Sequence, residues 1–250
     1  MRSYLRVSLP FVSADDGARF AEHHGATLNP TRARQRWWVD VDLEVDARHL
    51  DLAEIRQRYH ALARIPASEH IHTRVWPIPD HDARLSDHLD ALFDERDRQR
   101  AVMIGFYPTG AGWASAVVAS AQGAIDLSAS YIGDALGDLG ALANMILRGD
   151  PIARGSFEEE PGAYRWVARR VGERVSLTIS LFAASGRGRD EDGEPLLSVD
   201  CTAMELGAAV LACLDDVLAR FGEDGYRALW CEHAFPTLER DALRRALPRA

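Results

Sequence analysis

The stretch 162-GAYRWVARRVGERVSLTISL-181 decides the fold. Tyr164 and Trp166 alternate along one run, Val171-Gly172-Glu173-Arg174 supplies a turn, and Val175, Leu177, Ile179 and Leu181 alternate along the return. A period of two sends successive side chains to opposite faces of a pleated strand, so two such runs joined by a glycine-containing turn form a β-hairpin. The polar stretch 185–194 then leads to a third strand at 196–200 and directly into a long helix. Thr202-x-x-Glu205 reads as a capping box, in which each side chain accepts from the other residue's backbone N–H. Leu206, Val210, Cys213, Leu214, Val217, Leu218 and Phe221 follow at helical spacing, and Gly222 ends the run.

Upstream, strands are expected at 101–107 and 113–119, joined by the turn 108–112. Ile132, Leu136, Leu139, Ala143, Ile146 and Leu147 share one helical face, which Gly149-Asp150-Pro151 terminates. Residues 223–246 read as one or two short helices with Pro236 between them. Strands and helices are segregated and do not alternate as βαβ units. Residues 101–250 are therefore expected to form an α+β domain, with a mainly antiparallel sheet packed by a long helix and C-terminal helices.

The first 64 residues read as a small separate domain. Leu5 and Val7 lie on a strand, Ser13 caps a helix with Asp15 and Asp16 in its first turn, Gly25 closes it, and residues 36–41 form a second strand. This β-α-β head is followed by an amphipathic helix over 49–64, with Leu52, Ile55, Tyr59 and Leu62 on one face. Residues 65–100, with Pro66, Pro77 and Pro79, are expected to be a linker and a connecting helix marked by Leu85, Leu89, Leu92 and Phe93.

At 250 residues and 47% hydrophobic composition, the chain has enough apolar material for a core. No run reaches the roughly 18 apolar residues of a membrane span, and the opening MRSYLRVSLPFVSADD has no long apolar segment before a small-residue cleavage site. The expectation is a cytoplasmic protein with no membrane contact. Cys201, Cys213 and Cys231 are widely spaced and read as structural thiols. Every basic residue is an arginine. Residues 1–39 hold six of them against Asp15, Asp16 and Glu22, a net of +3 that leaves −12 on the remainder. A cationic head on an anionic body is expected, and such a body attracts basic partners.

Motifs for chemistry are sparse. Gly186-Arg-Gly188 lacks the third glycine and the following helix of a dinucleotide site. Asp190-Glu-Asp192-Gly193 has its glycine too early for a calcium loop and reads as a solvated hairpin tip. His70-x-His72 with His81 offers metal-ligand types at a spacing that matches no known pattern, so neither a metal nor a cofactor is expected. Cys231 and His233 sit at i and i+2, which do not face each other on a helix. Glu158, Glu159 and Glu160, before Pro161-Gly162, read as an exposed charged turn. Together with Asp190, Glu191 and Asp192 they are the candidate acidic surface for a basic partner. Arg32, Arg34 and Arg36, leading into Trp37 and Trp38, combine phosphate-neutralising charge with a stacking surface, a candidate nucleic-acid site.

Two resemblances accompany these residues. Leu5-x-Val7, the acidic helix start, Gly25-Ala26-Thr27-Leu28-Asn29-Pro30 and Arg36-Trp37-Trp38-Val39, about 40 residues in all, resemble a short family of unknown function found on mobile-DNA proteins, primase-like and conjugation proteins among them. Thr27-Leu28 stand where that family has Arg-Trp, and Arg36 where it has lysine. The resemblance implies a nucleic-acid accessory role for the head. Residues 125–240, through Phe157-Glu-Glu-Glu-Pro-Gly-Ala-Tyr-Arg-Trp166, Gly222-Glu-Asp-Gly-Tyr226 and His233-Ala-Phe-Pro236, resemble uncharacterised soluble bacterial proteins, some small acidic examples of which act as immunity or accessory partners to toxins. The sequence thus leads to a non-enzymatic macromolecule-binding protein that neutralises a basic effector. The alternatives are a nucleic-acid-binding accessory factor and a hydrolase with a dispersed site.

Overall fold

The computed structural model describes residues 3–29, 35–77, 84–184, 188–231 and 233–248. The chain divides into two compact units, residues 1–81 and 82–250. Helix (39%) and strand (38%) are balanced, and the sheets are antiparallel with helices packed on them, so the class is α+β.

The first unit runs β1 (Ser3–Phe11), α1 (Ala14–His24), β2 (Thr27–Leu28), β3 (Trp37–Val45), α2 (Leu52–Leu62) and β4 (His72–Trp76). The Ser13 side chain accepts from the N–H groups of Asp15 and Asp16, and Gly25 closes α1 in the left-handed conformation, as expected. Among the described residues its strands lie in the order β2-β3-β1-β4, with every neighbouring pair antiparallel. This is the split βαβ topology.

The unit therefore extends beyond the β-α-β head expected for residues 1–64. Residues 72–76, expected in a linker, form a strand paired with β1. His72, Arg74 and Trp76 alternate with Thr73 and Val75, and Pro66 and Pro77 flank the run without interrupting it. Leu5 lies between Leu43 and Val75, and Val7 between Val41 and Thr73. Arg56 on α2 donates to the Thr73 hydroxyl at 2.8 Å, which ties the helix to that strand. Leu52 and Tyr59 are buried as expected, but Leu62 is exposed, because α2 ends there and Ile65 fills the apolar face instead.

The second unit contains α3 (Leu85–Leu92), β5 (Val102–Gly110), β6 (Trp113–Ser120), β7 (Gly123–Ser130), α4 (Ala135–Arg148), β8 (Ile152–Glu159), β9 (Gly162–Val171), β10 (Arg174–Phe182), β11 (Glu194–Thr202), α5 (Ala203–Trp230) and α6 (Thr237–Ala246). Among the described residues its strands form two antiparallel meanders, β5-β6-β7 and β8-β9-β10-β11. The expected β9–β10 hairpin forms, pairing Tyr164 with Leu181 and Trp166 with Ile179. The capping box is formed, with Thr202 N donating to Glu205 Oε2 at 2.7 Å and Glu205 N to Thr202 Oγ1 at 3.1 Å.

Helix α5 packs on β5, and α4 on β8 and on α5. Leu206, Val210, Leu214, Val217 and Phe221 are completely buried along α5, and each such side chain contributes roughly 1.5–3 kcal/mol. Gly222 adopts φ 65° and ψ 176°, a conformation open essentially to glycine, and breaks the helix where the sequence places its end. A short helical segment continues to Trp230, and Asn144 of α4 donates to the Glu239 carbonyl at 2.9 Å to hold α6.

Candidate functional site

Charged side chains of the second unit cluster along the edge strand β8. Residues of one β8 face, Arg154, Ser156 and Glu158, alternate with the inward-facing Ala153, Gly155 and Phe157. Glu158 and Glu159 are therefore not on an exposed turn. They are the last residues of the strand, half-buried, and the pleat sends them to opposite faces. Glu160 alone lies in the turn and is exposed.

Glu159 accepts a hydrogen bond from the Ser128 hydroxyl of β7. Burial, reinforced by the Glu159 carboxylate, pushes the Tyr164 hydroxyl up to about 12. Glu158 accepts at Oε1 from the Ser156 hydroxyl at 2.8 Å. Its other oxygen, Oε2, is buried and has no hydrogen-bond partner among the described residues.

A second carboxylate meets the same serine. Asp138, in the first turn of α4, accepts at Oδ2 from the Ser156 backbone N–H at 3.1 Å. Burial raises the pKa of Asp138; the bond from Ser156 opposes this, and the neighbouring Asp134 and Glu158 add to it. His233, whose charge acts the other way on Asp138, meets the Tyr131 carbonyl through Nε2 at 3.2 Å. Asp138, Ser156 and Glu158 line a cleft of about 260 Å³ together with Arg154, Arg165 and Phe182. The paired carboxylates suit a cationic group, since a buried carboxylate oxygen without a donor carries a desolvation cost that a guanidinium or ammonium would relieve.

Glu191 and Asp192 are exposed, as expected of a solvated tip, but Asp190 is not. The segment folds back over β8 and β9, and Asp190 is 13% exposed beneath Arg154 and Arg169, at 2.8 and 2.9 Å, and Arg165, at 3.5 Å. These guanidinia hold the Asp190 carboxyl below its ordinary range, Arg154 most of all. The absence of a side chain on Gly193 permits this approach, because a Cβ there would lie 2.4 Å from the Phe182 ring. Asp192 accepts from the Arg189 backbone at 2.7 Å, and Glu191 pairs with the Arg189 side chain at 3.5 Å. The acidity expected of this segment is thus largely compensated within the fold.

The cationic head also changes character. The compact unit of residues 1–81 holds eleven arginines against eleven aspartates and glutamates. The second unit therefore carries the whole net charge of −9. Arg36 is ion-paired with Glu69, and Arg6 forms a two-pronged pair with Asp42 at 2.7 and 2.8 Å. Trp37 and Trp38 point to opposite faces of β3. Trp38 shares its face with Asp40 and Asp42 and lies 5.0 Å, centroid to centroid, from His72. His70 meets His72 edge-on at 4.5 Å. Arg32, Arg34 and His81 lie outside the described residues. Among the described residues, no group of three or more His, Cys, Asp or Glu is placed to hold a metal ion.

Cys201 and Cys213 are buried and Cys231 is exposed. Burial pushes the Cys201 thiol up to about 11 and raises that of Cys213, which disfavours the nucleophilic thiolate at both. Among the described residues, no helix is long and apolar enough to cross a membrane.

Asp138, Ser156, Arg154, Arg165 and Arg169 were not singled out by the sequence. The signal was the period-two spacing of Arg154, Ser156 and Glu158, legible only once 152–159 is recognised as a strand. Comparison with protein families, curated proteins and solved structures found no match for this chain.

Proposed function

We propose that this chain is a non-enzymatic protein-binding module that takes a basic side chain of a partner into the Asp138–Glu158 cleft, and that it serves as an immunity-type or accessory protein occupying a basic effector. The single observation that carries this reading is the buried Glu158 Oε2, without a hydrogen-bond donor among the described residues, beside the raised-pKa carboxyl of Asp138. An arginine or lysine supplied in trans would provide that donor and neutralise both carboxylates. The net −9 of the second unit adds long-range attraction for a basic partner, screened beyond about 10 Å at moderate salt.

Selection from a random peptide library on the immobilised full chain tests this. Peptides rich in arginine and lysine should be enriched and should elute as salt is raised. Their affinity should fall at least about tenfold in Glu158→Gln/Asp138→Asn, as expected when a buried charge pair loses one side. Enrichment of neutral or acidic peptides, or retention by the double variant, would sink the reading.

The hydrolytic alternative rests on one contact, the Ser156 hydroxyl donating to Glu158 at 2.8 Å, which has the polarity of a nucleophile and its base. A fluorophosphonate probe decides between them: covalent labelling at Ser156 would replace the binding reading. The nucleic-acid alternative retains Trp38 as a stacking surface, but the described arginines nearby, Arg6 and Arg36, already serve Asp42 and Glu69.

A further inference from the structure

The β8–β9 face that carries the cleft also holds an arrangement that a simple structural ion pair does not explain. Ser156 is paired with Arg165, and Ile152 with Arg169, so Arg154 stands diagonally between the two arginines of the neighbouring strand. Like charges so placed repel. Among the described residues, three guanidinia converge on the carboxylate of Asp190, and Arg189 beside them is already offset by Glu191 and Asp192.

The fit of Asp190 to this cradle is incomplete. Arg154 and Arg169 reach it within hydrogen-bonding distance. Arg165 stays at 3.5 Å and donates to the Gly188 carbonyl at 2.9 Å instead. Arg165 is also held in place by the Phe182 ring, 4.0 Å from its guanidinium carbon. The side chains of Arg154 and Arg169 are 52% and 49% exposed, and the concavity they line with Arg165, Gly188, Arg189, Asp190 and Glu191 measures about 590 Å³. A carboxylate offers two coplanar oxygens and one charge. A phosphate monoester dianion offers three terminal oxygens, one for each guanidinium, and two charges.

We propose that Arg154, Arg165 and Arg169 form a binding site for a phosphate monoester, and that the Asp190 carboxylate is the built-in competitor which the phosphate displaces. The site takes a ligand of the opposite charge from that of the basic-peptide reading and rests on different observations, the convergence of three guanidinia on Asp190, although Arg154 and Arg165 also line the Asp138–Glu158 cleft.

The test is calorimetric titration of the full chain with inorganic phosphate and with phosphoserine, free and within a peptide. Removing the competitor in Asp190→Asn should tighten phosphate binding by about tenfold, and adding Arg169→Gln should reverse the gain. A variant that misfolds leaves a second measurement on the wild type. Phosphate should raise its unfolding temperature above that in chloride of equal ionic strength, and this rise should disappear in Arg154→Gln/Arg169→Gln. Tighter binding of the phosphopeptide than of free phosphoserine identifies a partner's phosphorylated side chain as the source, and equal binding identifies a small molecule. An Asp190→Asn chain that folds and binds phosphate no better than wild type, or a phosphate stabilisation unchanged by the arginine substitutions, overturns the proposal.

Discussion

The carboxylate of Asp138 accepts the backbone N–H of Ser156 at 3.1 Å and so joins the first turn of α4 to the edge strand β8. An edge strand presents N–H groups that no neighbouring strand satisfies, and here a side chain from the adjoining helix does so. Asp138→Ala should cost about 1–3 kcal/mol, the penalty of leaving a partly buried donor unmet. Asp138→Asn keeps an accepting oxygen and should cost less. The two differ from wild type in pH response as well. The folded state raises this carboxyl above its ordinary 3.8, so it binds the proton more tightly than the unfolded chain does. That contribution is complete below the unfolded value and is lost as pH rises through the folded one. Relative to wild type, Asp138→Asn should therefore gain stability as pH rises above the ordinary carboxyl value of 3.8, as read from urea denaturation below and well above that value. Equal destabilisation by Asn and Ala would show that the bond to Ser156 contributes nothing.

Glu158→Gln separates stability from binding. The wild-type side chain buries a carboxylate oxygen without a donor, whereas an amide carries no charge to desolvate. The variant should be more stable by about 1 kcal/mol, a rise of roughly 2–4 °C in Tm for a unit of this size, while losing affinity for basic peptides. A residue retained for binding at a cost in stability behaves this way. A fall in Tm would mean that Glu158 is structural, and would remove the premise of the cleft as a cation site.

A third consequence lies in α5. Arg220 has a side chain only 2% exposed, bonds Asp216 through Nε at 2.6 Å, and leaves Nη2 buried without a partner among the described residues. Burial raises the pKa of Asp216 even against this partner, so desolvation outweighs the attraction of the pair. Truncating one member strands the other, and Asp216→Ala should cost about 3–5 kcal/mol. The apolar double replacement Asp216→Leu/Arg220→Met should recover most of that loss. A double variant as unstable as the single would show that the pair is favourable in its own right. Equilibrium unfolding of the wild type and the two variants supplies the comparison.

These residues also show which parts of the molecule could be read in advance. The β9–β10 hairpin, the Thr202–Glu205 box and the break at Gly222 were legible because alternation, capping and glycine act locally. Strands β7 and β8 were not, since GAIDLSAS and IARGSFEE are built of small and polar residues whose alternation is faint. Missing β8 hid the candidate site, because Glu158 and Glu159 look like neighbours in a turn until a strand sends them to opposite faces. The expectation of a cationic head failed for a related reason, while the net acidity of the remainder stands. Arg6 and Asp42 are distant in sequence, and only the β1–β3 register brings them together. The β4 strand was obscured by prolines that bound it.

The last prediction concerns the alkaline limb. Tyr164 lies on β9 with its hydroxyl near Glu159, and burial together with that carboxylate raises its pKa from 10.0 to about 12. Folding therefore favours the protonated phenol. Its stabilising effect is fully present below the unfolded value of 10.0 and is lost as pH rises toward the folded value of about 12. Tyr164→Phe has no proton to lose, so its Tm should fall less steeply than that of wild type over this interval. Thermal melts across this interval, with the phenolate followed by its near-ultraviolet absorbance, provide the measurement. Parallel Tm curves for the two proteins would show that Tyr164 titrates as an ordinary exposed phenol, and that Glu159 at the end of β8 does not act on it as described above.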